Sequence, residues 1–282
     1  MPRRIVEEKL RDILAEDLGQ GDVTAAAVIP KNLVVEAEVI AKEDGVVAGV
    51  EEAAILAEYL GLKVDAKVVD GEKISDKQVL MEIQGDARTL LTVERTLLNL
   101  LSRMSGIATE TRSLTGELEN AKVKAKIAAT RKSAPGMLYF DKKAVIIGGG
   151  DAHRLHLDDM VLIKDNHIAI VGNVREAVKQ AKANVSFTKK IEVEVTSIED
   201  AVKAAKAGAD IVMLDNFSPK QAQEASKKLR KAGFDKVLLE ASGGITAENL
   251  LDYARAQVDV ISMGALTHSV KGLDISLEVK KT

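Results

Sequence analysis

The sequence predicts an α/β barrel, seven-stranded and incomplete, preceded by an N-terminal α+β sandwich domain. Three observations carry this. After Thr109, short β-rich runs end in polar or glycine residues, and most are followed by helical patterns without hairpin turns, so these strands run parallel. Seven such runs occur (KAKIAATRK, AVIIGGG, MVLIKDNH, KIEVEVT, DIVMLDN, VLLEASGG and DVISMGAL), packed into about 160 residues, which suits a closed or nearly closed barrel. Before them, residues 33–50 alternate apolar and polar positions around a turn, and residues 62–85 supply further strands between turn signals, the pattern of an α+β domain.

In chain order, Ile5, Val6, Leu10, Ile13, Leu14 and Leu18 recur at helical spacing up to Gly19. LVVEAEVIAKEDGVVAGV (33–50) reads as a hairpin turning at Glu43, Asp44 and Gly45. Residues 50–61 return to helix, and further strands follow, broken at Asp70–Gly71 and Ser75–Asp76. ARTLLTVERTLLNLLSRMSGIA (87–108) is a long helix pattern stopped at Gly106, with Arg95 and Arg103 as outliers on its leucine face. Arg103 reads as a solvated position or a bridge to Glu94 or Glu110. The N-terminal domain is thus 1–108, with the tail 268–282 packing on it, and the barrel is 109–267. Between the barrel strands, Asn173 with Glu176, Ser197 with Asp200, and Ser218 before Pro219 are helix starts. An open doubly wound sheet is the competing topology; the missing or very short helix between the second and third runs favours the barrel.

A barrel gathers its strand ends at one mouth. Those ends carry Arg131 and Lys132, Gly148–Gly150, Lys164 and Asp165, Glu194, Asp215, Ser242 with Gly243 and Gly244, and Gly264. Glu192 and Glu194 share one face of IEVEV. The outer face packs on helices, so the pair points inward, toward cations, metal or ligand hydroxyls.

Composition narrows the class. A net charge of −3 and 2% aromatic residues argue against nucleic acid and against an anionic membrane surface. With no cysteine, there is no disulfide, no thiolate nucleophile and no cysteine-ligated metal. The charged N-terminal helix pattern is unlike a secretory signal, which makes the expected location cytoplasmic. Against that background, residues 129–168 concentrate Arg131, Lys132, His153, Arg154, Lys164 and His167, a pocket for a multiply charged anion.

There is no Walker pattern, and Gly148–Gly150 lacks dinucleotide-fingerprint spacing. SGGIT (242–246), at the penultimate strand, is a phosphate cradle together with Gly264. His153 and His156 have metal-ligand spacing without the remaining ligands of a zinc site. Lys164 stands where barrel aldolases carry a Schiff-base lysine, and the dense cations beside it point instead to anion binding.

ERTLLNLLSRMSGIAT (94–109), ATRKSAPG (129–136), AVIIGGGDAHR (144–154) and LIKDNHI (162–168), with the later IEVEV, MLDN and EASGGI, together resemble quinolinate phosphoribosyltransferase, the carboxylating nicotinate-nucleotide pyrophosphorylase of NAD biosynthesis. The resemblance runs through nearly the whole chain in order. It departs at Ser133–Ala134 and Met137–Leu138, none of them positions the family uses for charge.

The resemblance implies the type II phosphoribosyltransferase barrel and a homodimer with shared active sites, from which a higher assembly of dimers could be built. Its substrates are the small molecules quinolinate and phosphoribosyl pyrophosphate, with Mg²⁺ as cofactor. Quinolinate would meet Arg131, Lys132, His153, Arg154, Lys164 and the partner's Arg95. Phosphoribosyl pyrophosphate would meet Lys132, Lys164, Glu194, Asp215, Ser242, Gly243, Gly244 and Gly264. Lys132, Glu194 and Asp215 would be catalytic, and Mg²⁺ would be held by Glu194 and Asp215, partly through water or substrate. Three other functions stay open on the residues: a non-decarboxylating relative using nicotinate, a Schiff-base lyase using Lys164, and a non-catalytic anion-binding protein on the same barrel.

Overall fold

A computed structural model describes residues 1–280. The chain divides into two compact units, one made of Met1–Arg112, Pro135–Gly148 and the segment from Val270, the other of Ser113–Ala134 and Gly149–Ser269.

The first unit opens with α1 (Arg3–Leu18), which buries Val6, Leu10 and Leu14 at helical spacing, and α2 (Val23–Val28), capped by the Asp22 side chain. Then come β1 (Val34–Ala41), β2 (Gly45–Val46), α3 (Val50–Tyr59), β3 (Lys63–Ala66), β4 (Lys73–Ile74), β5 (Val79–Asp86) and the long α4 (Ala87–Asn120). β1 buries Ala37, Val39 and Ala41 on one face and has both edges occupied. β5 pairs antiparallel on one side and the C-terminal strand on the other, while β2 pairs with β4. The hairpin expected at residues 33–50 therefore does not form, because both edges of β1 are taken by longer partners with more ladder to offer.

Gly106 does not stop α4, which runs on to Asn120. A Cβ at Gly106 would collide with the Lys271 carbonyl, so this glycine serves close approach of a second backbone within the helix interior. Arg103 meets neither Glu94 nor Glu110: its Nε and Nη2 donate to Asp141 Oδ1 and Oδ2 at 2.7 and 2.8 Å.

The second unit supplies β6 (Lys126–Ala128). The next segment, α5 (Leu138–Ile147), corrects the sequence reading: AVII is the last turn of a helix that clusters with the first unit. A short apolar run with β-branched residues cannot be told from a buried helix turn by periodicity. After it come β7 (Val161–Ile163), α6 (Asp165–Val171), α7 (Val174–Asn184), β8 (Ile191–Val195), α8 (Ile198–Ala207), β9 (Ile211–Asp215), α9 (Pro219–Lys231), β10 (Leu238–Ser242), α10 (Ala247–Arg255), β11 (Val260–Ser262) and α11 (Ala265–His268). The chain returns to the first unit in β12 (Ile275–Val279), the strand that pairs with β1. Asn173, Ser197 and Ser218 accept the backbone N–H groups that open α7, α8 and α9.

The six parallel strands run β6-β11-β10-β9-β8-β7. Pairing of the first strand with the last is what wrapping into a barrel requires, and a doubly wound sheet does not produce it. The seventh position is filled only by a bridge, Ala128 to Asp151, so the seven expected strands become six and one bridging segment. α7 packs on α8, α8 on α9 and α9 on α10, giving the outer layer. Register then stacks residues in tiers. Glu194, Met213, Glu240 and Val260 are successive neighbours in one tier, and Asp215, Ser242 and Ser262 in the tier nearer the strand ends.

Candidate active site

The C-terminal ends of the barrel strands enclose a cavity of about 460 Å³. It is lined by Arg131 and Lys132 after β6, His153 and Arg154 after the bridge, Lys164 after β7, Glu194 on β8, Asp215 on β9 and Ser242 on β10. Eight of the residues singled out from the sequence thus share one cavity. Gly243 and Gly244 continue the chain from Ser242, and Gly264 comes two residues after the end of β11. Arg95 lies in the first unit, exposed on α4.

Local contacts position these groups. The Lys132 carbonyl accepts the Thr267 hydroxyl at 2.7 Å, tying the loop after β6 to α11. Gly243 is at φ +94, and a Cβ there would run into the Asn216 side chain, so the turn leaving β10 needs glycine. Asn249 braces the same turn, accepting from the Thr246 N–H at 2.9 Å and donating to the Gly244 carbonyl at 3.1 Å. Backbone N–H groups at such a turn, where α10 begins, form an anion cradle. His167 opens α6 by accepting the Lys164 backbone N–H at 3.0 Å. It is a capping residue, which accounts for its place in LIKDNHI.

The cavity carries charge of both signs. Arg131, Lys132, Arg154 and Lys164 are cations suited to carboxylates and phosphates. Burial, and then the neighbouring Arg131, pull the Arg154 guanidinium below its ordinary value, the mark of cations gathered before their anion. Among the acids, burial and then Glu194 raise the Asp215 carboxyl. Lys164 Nζ donates to Glu194 Oε2 at 2.8 Å, and an ammonium so paired is no free amine nucleophile, which tells against the Schiff-base alternative.

Two further carboxylates emerge. Glu192, recognised as inward-facing, is fully buried, and Glu240 joins it; both lie against His153 Nε2, at 3.4 and 3.0 Å. Burial, and then the charge of Glu240, push the Glu192 carboxyl up to about 8. Sequence reasoning missed Glu240. Its signal was parity: it stands two residues before Ser242 on one strand, and so on the same face.

A larger cavity of about 690 Å³ opens where the strands begin, at Lys126, Ile211, Leu238 and Val260. It shares His153, Arg154 and Glu240 with the first and lacks the strand-end residues, so the chemistry is assigned to the smaller.

The comparisons with known proteins agree with this geometry. Residues 22–105 match the model of the quinolinate phosphoribosyl transferase N-terminal domain, and residues 107–278 that of its C-terminal domain. The chain is 47% identical over 272 residues to a protein of Methanothermobacter thermautotrophicus named probable nicotinate-nucleotide pyrophosphorylase (carboxylating), covering 96% of this chain and 98% of that one. It is 42% identical to the Mycobacterium leprae nicotinate-nucleotide pyrophosphorylase (carboxylating), covering 96% of each. The solved structure of the nicotinate-nucleotide pyrophosphorylase from Francisella tularensis superposes with a TM-score of 0.90 at 37% identity, over 99% of this chain and 98% of that one. With both domain models matched in order and a barrel mouth that gathers cations against paired carboxylates, the chain belongs to the quinolinate phosphoribosyl transferase family.

Proposed function

We propose that this protein transfers the phosphoribosyl group of phosphoribosyl pyrophosphate to quinolinate with decarboxylation, giving nicotinate mononucleotide, CO₂ and pyrophosphate for NAD synthesis. The observation that carries the reading is the mixed charge of one cavity: Arg131, Lys132, Arg154 and Lys164 converge on the same space as Glu194 and Asp215. A dicarboxylate needs the first set and ribose hydroxyls suit the second.

Arg131 and Arg154 grip the quinolinate carboxylates by fork geometry, with Lys132, His153 and Lys164 adding charge. The pyridine nitrogen lone pair then forms the bond to ribose C1′ as the C1′–oxygen bond breaks and its electrons leave with pyrophosphate. Lys132 and Lys164 counter the charge on that leaving group. Glu194 and Asp215 accept from the ribose hydroxyls and stabilise the positive charge that develops on the ribose. Ser242 and the turn at Gly243 and Gly244, with Gly264, hold the 5′-phosphate. Cleavage of the bond to the 2-carboxylate follows; its electrons fall into the pyridinium ring and a proton takes its place, so no Schiff base is needed.

Asp215 and Glu194 are near enough that one raises the other's carboxyl, a pairing a cation would relieve. They are the residues that would hold Mg²⁺, partly through water or substrate, and the ion would supply charge neutralisation of the pyrophosphate. The same reading makes the protein a cytoplasmic homodimer, open to further assembly. In it the partner's Arg95 completes the quinolinate site, and support comes from Arg95 being an exposed cation on α4.

The test supplies the purified protein with phosphoribosyl pyrophosphate, Mg²⁺ and quinolinate labelled in the 2-carboxyl group, with nicotinate in parallel. Labelled CO₂ and nicotinate mononucleotide in equal amounts, from quinolinate alone, are expected. Product from nicotinate alone would move the protein to the non-decarboxylating reaction.

A further inference from the structure

Two buried carboxylates that none of the substrate-facing roles employs meet on one imidazole. Glu192 is 0% and Glu240 1% exposed, and they reach His153 Nε2 from β8 and β10, strands separated by β9. A ring nitrogen carries one proton at most, and the nearer oxygen, Glu240 Oε2 at 3.0 Å, is its acceptor.

The backbone of His153 is constrained as well. It sits at φ +53, a left-handed conformation that is strained for a non-glycine residue and persists where the surroundings over-determine it. Its N–H donates to Asp151 Oδ1 at 2.7 Å, which holds that conformation. Ring and backbone are thus pinned separately, and His153 lines the mouth cavity together with Arg131, Arg154 and Glu240.

Charge points the same way as geometry. Facing the histidine are Glu192 from β8, Glu240 from β10, Asp151 two residues before it and the Arg154 side chain beside it. An ionised acid at hydrogen-bond distance favours the imidazolium, while burial and the charge of Arg154 oppose it.

We propose that Glu240 is a positioning residue for the reaction: it fixes the His153 ring and keeps it an imidazolium, so that a further cation stands beside Arg131 and Arg154 to meet the substrate's carboxylates. The inference rests on quinolinate being the substrate. It adds a residue that acts through the histidine.

The experiment compares the wild-type protein with Glu240→Gln, His153→Gln and the double variant. Glu240→Gln raises the KM for quinolinate about tenfold and moves the KM for phosphoribosyl pyrophosphate less than about twofold. With the acid gone the imidazole gives up its proton more readily, so the alkaline limb of kcat/KM for quinolinate shifts about one unit toward acid, and lower pH restores part of the loss. In the His153→Gln background, Glu240→Gln adds little, the coupling expected of a residue that works through another.

A readout independent of turnover is the NMR titration of the chain's four histidines, assigned with His153→Gln. His153 titrates at higher pH in the wild type than in Glu240→Gln. If Glu240→Gln does not fold, Glu240→Met replaces it, removing the charge at similar length, and His153 again titrates at lower pH than in the wild type. Unchanged KM and pH profile, additive losses in the double variant, or a His153 titration indifferent to Glu240 would each overturn the proposal. A wild type that yields no product from quinolinate overturns the functional reading instead, and the NMR titration still reports on the pair.

Discussion

In the first unit the Lys143 ammonium stands among Glu51, Glu52 and Asp70 at 2.6, 2.7 and 3.4 Å; in the barrel the His153 ring stands between Glu240 and Glu192 at 3.0 and 3.4 Å. Glu52 is as deeply buried as Glu240. The clusters differ in how well charge is met. Burial pulls the Lys143 ammonium down, but hydrogen bonds to Glu51 and Glu52 overcome it and hold it above its usual range, while Lys143 lowers Glu51 in return. In the barrel, both oxygens of Glu192 and one of Glu240 lack a hydrogen-bond partner. One cluster fastens α5 to α3 with the cation at its centre. The other crowds carboxylates beside a cavity and holds Glu192 well above the ordinary carboxyl range, as suits a place where a ligand arrives.

The largest effect that could break this comparison sets one arginine from each region side by side. Arg131→Ala is expected to lower kcat/KM about 100-fold or more, the loss of a two-pronged carboxylate contact, with little change in Tm because the side chain is exposed. Arg103→Ala should do the reverse. It removes the guanidinium from fully buried Asp141, which costs about 3 kcal/mol or more of stability, while the folded fraction keeps its turnover. Thermal unfolding and steady-state kinetics on both variants decide it; equal losses of activity would sink the assignment of Arg131 to the site.

A smaller effect concerns pH. Glu192 titrates near 8 in the folded protein, pushed there by burial and Glu240, against an ordinary 4.5. Between those values the folded state binds more protons than the unfolded one, so stability falls as pH rises from about 4.5 to about 8 and levels off above. Unfolding midpoints measured from pH 5 to 9 should show that slope. In Glu192→Gln, which keeps an uncharged group of similar shape, the slope should flatten. A wild-type curve that is level through this window would mean that Glu192 is already ionised and matched, as Glu51 is.

Much of the barrel was legible because strand ends in a parallel barrel meet by topology alone, so Arg131, Lys164, Glu194, Asp215 and Ser242 could be gathered without knowing any distance. Helix starts were equally legible at Asn173, Ser197 and Ser218, where one side chain and one backbone N–H three residues on decide the matter. What stayed hidden depends on partners far along the chain. Gly106 reads as a stop until the Lys271 carbonyl is seen against it, and β1 reads as half of a hairpin until β12 takes its free edge. Asp141, in a segment with no site motif, gave no sign that it would claim Arg103. Glu240 was hidden by its neighbours, since SGGIT drew the eye to the turn and away from the residue two places before it.

The smallest effect sharpens the comparison at a single hydrogen bond. Thr267, 1% exposed, donates its hydroxyl to the Lys132 carbonyl at 2.7 Å, joining α11 to the loop that carries two of the site cations. If the bond serves only the fold, Thr267→Val costs about 1 kcal/mol, as an ordinary hydrogen bond does, and leaves kinetics alone. We expect more: besides that loss, kcat/KM should fall about threefold for quinolinate and for phosphoribosyl pyrophosphate alike, because Lys132 faces both and a small displacement of its backbone moves the ammonium. Thr267→Ser keeps the hydroxyl and should keep the rate, so the pair of variants separates the aim of Lys132 from the mere packing of α11.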